Sequence, residues 1–136
     1  MNRLSHHAAL IHTMVLAAMA DGDINDEEVQ VMSRIVSFLP IFADFDITRL
    51  DAKVQRCLDR LGQKNGLDAA IKDISDALPP RLRETAYALA CDVVAASGEA
   101  SQEELRLLEM LRHTLDVPRL TAAAIEKGAA ARFRVL

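Results

Sequence analysis

The stretch ADGDINDEE at residues 20–28 returns in altered form as ASGEASQEE at residues 96–104, and no other feature of the chain constrains its fold as much. Sliding the sequence against itself by 76 residues lays Asp21-Gly22-Asp23 on Ser97-Gly98-Glu99, and Glu27-Glu28 on Glu103-Glu104. Ala20 meets Ala96. Met32, Ile35 and Leu39 fall on Leu108, Leu111 and Leu115, a spacing that turns one helix face toward a core in both copies. The expected units are two helical hairpins, about 8–40 and 84–116, with the two acidic stretches as their turns.

Each turn reads as one helix stopping and another starting. Gly22 and Gly98 can adopt the left-handed conformation that closes a helix. Asn25 with Glu28, and Ser101 with Glu104, match the capping box, in which the cap side chain and the glutamate each satisfy a free backbone donor. Asp26, Glu27 and Glu28 then lie in a first helical turn, where the macrodipole favours each negative charge by roughly 0.3–1 kcal/mol.

Between the hairpins, about residues 46–78, two more helices are expected. Leu50, Val54, Cys57, Leu58 and Leu61 recur at helical spacing, with Asp46 as a cap and Gly62 at the stop. Leu67, Ala70, Ile71, Ile74 and Leu78 share one face of the next helix, which Pro79-Pro80 ends while opening another. After Leu115 a last helix starts near Pro118 and is expected to stop near Gly128, leaving AAARFRVL as a docked extension or a frayed tail. No segment alternates with period two, so the expectation is an all-α single-domain bundle over residues 1–136, of about seven helices. Composition agrees: hydrophobic residues are 51% of the chain and aromatics only 4%, which favours helix over sheet.

The net charge of -4 and the scatter of Lys and Arg offer phosphates no track, which argues against a nucleic-acid binder. Cys57 and Cys91 lie in separate helical segments without zinc-like spacing, and read as packed thiols. Ala8 to Met19, followed by Ala20, has the look of a signal peptide but is interrupted by His12 and is too short to span a bilayer. Because it also matches a stretch deep inside the chain, the expectation is a segment retained in a cytosolic protein, with no transmembrane span.

The acidic turns are not EF-hand loops. With Gly22 sixth, the first and third ligand positions fall on Ala17 and Met19, and in the second copy on Val93 and Ala95, none of which can ligate. Capping does not require Asp21, Asp23 or Glu99, however. Two readings therefore stand: a solvated turn, or a site for a hard divalent cation, Ca²⁺ or Mg²⁺ favoured, with water completing the shell. The candidate ligands are Asp21, Asp23, Glu27 and Glu28 in the first turn and Glu99, Glu103 and Glu104 in the second.

The pattern of alanine, acid, glycine, cap and glutamate pair resembles the tellurite-resistance TerB-like family, and the resemblance covers nearly the whole chain. The matching positions are Asp21, Gly22 and Glu28 in the first copy and Gly98 and Glu104 in the second, where Ser97 stands at a place usually aspartate. The resemblance implies a bundle of about seven helices that is cytosolic or peripheral to the inner membrane. It also implies an accessory role in tellurite and other chemical stress, with acidic residues binding divalent metal. Protein partners, among them membrane-associated resistance proteins, and a homodimer are further expectations. The family's relatives include domains at the N-terminus of membrane-anchored DnaJ-like co-chaperones, so the alternative is an interaction module without a functional metal.

Other chemistry finds little footing. His6, His7 and His12 lack the i, i+4 pairing of zinc helices, and read as an exposed pair and a boundary residue. His113 suits a helix C-terminus. No nucleophile elbow and no phosphate-cradling glycine loop is present, so no enzyme is expected. Leu4, Ile41, Phe42, Phe45, Phe133 and Leu136 lie at junctions and at the tail, where apolar side chains either seal a bundle or dock a partner.

Overall fold

The computed structural model describes residues 3–136, and among these every regular element is helical. Seven α-helices follow in order: α1 His6–Met19, α2 Asp26–Phe38, α3 Leu50–Leu61, α4 Gly66–Ala77, α5 Pro80–Ala96, α6 Gln102–Thr114 and α7 Arg119–Arg132. Two 3₁₀ turns, Pro40–Phe42 and Ile47–Arg49, join α2 to α3.

Helix α1 is the axle. A helix that is apolar all round has no solvent face to offer and must be surrounded, and every residue from Ala8 to Ala18 is buried. α5 forms its largest contact, with α3, α4, α2 and α6 completing the sleeve. The two polar residues inside α1 are handled differently. Thr13 donates its hydroxyl to the Ala9 carbonyl at 2.8 Å, whereas His12 leaves Nε2 buried without a partner. The boundary position expected for His12 is thus corrected: it is 2% exposed, because α1 has no boundary face.

Two further corrections concern ends and faces. Gly128 does not stop the last helix, which runs on to Arg132, since an alanine run carries it past a single glycine. Leu67 does not join the buried face of α4 and is 39% exposed, as the second residue of the helix. The pair His6-His7 is also not exposed: the His7 ring stacks on Phe42, lies edge-on to Phe45, and its Nε2 sits 2.9 Å from the Ile41 carbonyl oxygen. Cys57 and Cys91 are free, buried thiols, both pushed up to about 12 by burial.

Of the six junction residues, Leu4 and Phe42 are buried and Ile41, Phe45 and Phe133 half-buried, sealing the bundle; only Leu136 is fully exposed. α7 rests on α5, held by Ala122 and Ala129 and by two polar clasps, Tyr87 to Glu126 and Arg132 to Asp92.

Candidate functional site

Both acidic turns close as their local chemistry dictates. Gly22 and Gly98 take φ of +103° and +94°, in the left-handed region that favours glycine. Both capping boxes form. The Asn25 side chain accepts from the Glu28 amide while Glu28 Oε1 accepts from the Asn25 amide, each at 2.8 Å. In the second turn Glu104 Oε1 accepts from the Ser101 amide at 2.8 Å and Ser101 Oγ accepts from the Glu104 amide at 3.1 Å.

The cap explains only one oxygen of each carboxylate. Glu28 and Glu104 are 1% and 2% exposed, and the second oxygen of each, Oε2, is buried with no hydrogen-bond partner. Two carboxylates placed out of water with a free oxygen apiece are an unusual arrangement, since a buried polar group is ordinarily satisfied. The pair also interacts. Glu28 titrates above the ordinary carboxylate range, first because burial disfavours its charge, and further because Glu104, Asp21 and Glu27 add negative charge nearby. The two turns, distant in sequence, therefore lie within electrostatic reach of one another.

The remaining candidates take other places. Asp21 and Glu27 are exposed but close enough for their charges to bear on Glu28. Asp23 is exposed, its amide 3.4 Å from Asp21 Oδ1. Glu99 and Glu103 are exposed, and Glu103 lines a different groove beside Arg106 and Met110. Among the described residues no three His, Cys, Asp or Glu side chains converge into a cage that could hold an ion by themselves. What each turn offers instead is one buried, unpartnered carboxylate oxygen, with the exposed Asp21 and Glu27 near that of Glu28. The donor chemistry suits a hard cation whose other ligands are water or backbone oxygens.

The orphaned oxygens could not be read from sequence, because the capping box already accounts for both glutamates. The one available signal was that the two boxes occupy matching places in the two copies.

A family model described as TerB, Tellurite resistance protein TerB, matches residues 7–127 of the 136. No curated protein and no solved structure matches the chain.

Proposed function

The chain belongs to the TerB family of tellurite resistance proteins, and from that premise we propose that it is a non-catalytic accessory protein of tellurite and chemical-stress resistance that holds a divalent cation between its acidic turns. The observation that carries this reading is the pair of buried, unpartnered oxygens, Glu28 Oε2 and Glu104 Oε2. These two would be the ligands. Asp21, Asp23, Glu27 and Glu99 would be the exposed acids that draw a cation in. A bound divalent cation would neutralise the two carboxylates and tie one helical hairpin to the other. Glu28 and Glu104 keep their inner oxygens aimed by the capping hydrogen bonds, so the donors are positioned before any ion arrives. The protein would work in the cytoplasm or against the inner membrane beside membrane-associated resistance proteins. Among the described residues no helix is long and apolar enough to cross a membrane.

Calorimetric titration of chelator-treated protein with Ca²⁺, Mg²⁺, Mn²⁺ and Zn²⁺ tests the reading. Saturable binding should be abolished by Glu28→Gln plus Glu104→Gln and weakened by Asp21→Asn plus Asp23→Asn. Absence of binding at millimolar ion, with the fold intact, would overturn it.

The alternative, an interaction module without a functional metal, is favoured by two large apolar side chains left in solvent, Phe38 at 81% and Leu120 at 83% exposure. On that reading, substituting both with serine would abolish partner capture and leave ion binding unchanged.

A further inference from the structure

A cleft of about 590 Å³ opens between α6 and α7. Both helices pack on α5 and make little contact with each other, which leaves the space between them. Buried Tyr87, Cys91 and Val94 of α5 form its floor. Its walls keep their depth because the residues there are small: Ala129 and Ala130 on one side, Gly98 and Ala100 at the end near the second turn. Leu105, 49% exposed, and Phe133 form the apolar lips. Volume and lining match a site for a small molecule, which in general is a largely apolar concavity of roughly 300–1,000 Å³ with a few fixed polar groups.

The polar group hydrogen-bonded to the floor is a carboxylate, that of the exposed Glu126. Tyr87, 1% exposed, donates its hydroxyl to Glu126 at 2.5 Å, which pulls the Glu126 side chain down the wall of the cleft and leaves its remaining lone pairs as acceptors. Glu109 adds a second carboxylate from the opposite helix. Against these two acids the lining has one cation, Arg134, on the exposed tail. The polar end of a ligand here must therefore be a donor, and its charge positive. The geometry points to a binding site for a long-chain primary amine, the alkyl chain lying over Cys91, Val94 and Leu108 and the ammonium meeting Glu126 and Glu109. This site is separate from the carboxylates Glu28 and Glu104 and does not depend on a cation there.

Tyr87 is the only tyrosine of a chain without tryptophan, so its fluorescence reports the cleft directly. Decylamine, kept below its micelle concentration, is titrated into the full chain in parallel with decanoate and decanol. A saturable one-to-one change, at least tenfold tighter for decylamine than for decanoate, is expected. Ala130→Phe, at an exposed wall position, should weaken decylamine at least tenfold by filling the cleft, and Ala95→Leu serves if that variant does not fold. Glu126→Gln should bring decylamine down to the affinity of decanol. Non-saturable binding, decanoate equal to or tighter than decylamine, or an unchanged affinity in a folded filled-cleft variant would each overturn the proposal.

Discussion

Glu28 and Glu104 stand third in α2 and α6, each with one carboxylate oxygen closing a capping box and the other buried without a partner, and the charge of Glu104 makes Glu28 harder to ionise. Helix caps normally sit at a wet surface. Here each cap buries the second oxygen of its glutamate, although Asn25 itself is exposed.

From this follows an opposite response to two substitutions. Glu28 binds its proton more readily folded than unfolded, so its contribution to stability is present at low pH and is lost as pH rises from the ordinary carboxylate range through its raised value. Glu28→Gln keeps an oxygen for the Asn25 amide and removes the charge. In chelator at pH 7.5 it should be more stable than the parent by about 1 kcal/mol, a few degrees in Tm. Glu28→Ala also loses the cap and should be less stable by about 0.5–2 kcal/mol. Thermal denaturation of both checks this, and if Ca²⁺ raises the Tm of the parent it should not raise that of Glu28→Gln.

Two glycines should respond differently to alanine. At Gly22 an added Cβ meets nothing within 4 Å, and the cost is only that of φ +103°, about 1–2 kcal/mol. At Gly66 the Cβ would lie 2.4 Å from the Arg60 carbonyl oxygen and 2.5 Å from that of Leu61, both backbone atoms. Gly66→Ala must push α4 away from the end of α3 and should cost more than 3 kcal/mol. Urea unfolding of the two variants ranks them.

His12 should govern the acid limb of stability. Burial, then the nearby Arg56, lowers its pKa from 6.5 to about 4, although the Lys53 backbone and Asp73 pull the other way. The unfolded chain therefore holds more protons between those values, so stability is full above pH 6.5 and is lost as pH falls toward 4, by up to about 3 kcal/mol. In His12→Leu the decline over this window should be flatter by that amount, measured by urea denaturation at pH 4, 5, 6 and 7.

The two thiols should be silent in the native protein. Burial holds both near 12, so at pH 8 neither Cys57 nor Cys91 presents thiolate, and a disulfide reagent should label them only as fast as the chain opens. Labelling that becomes rapid in 6 M guanidinium, and is slow without it, is the expected result.

Helices and turns were legible because they are decided locally. Gly22, the capping pairs and Pro79-Pro80 each carry their instruction within a few residues, and the structure follows them. Faces were less legible. His12 was misplaced because a helix buried on all sides has no periodicity to betray which residue is deepest, and His7 because its partners Phe42 and Phe45 arrive from a distant turn. The acidic residues were visible as a group, but only tertiary packing separates the buried pair Glu28 and Glu104 from the exposed Asp23, Glu99 and Glu103. The α6–α7 cleft left no mark at all, since small residues signal a void only once their neighbours are known.

The complete enclosure of α1 also sets the order of events at the ribosome. α1 is synthesised well ahead of α5, the helix that makes its largest single contact, so a nascent chain carries an incompletely covered apolar rod until α5 has emerged. Chains cut short before α5 would be left with one side of that rod exposed to aggregation.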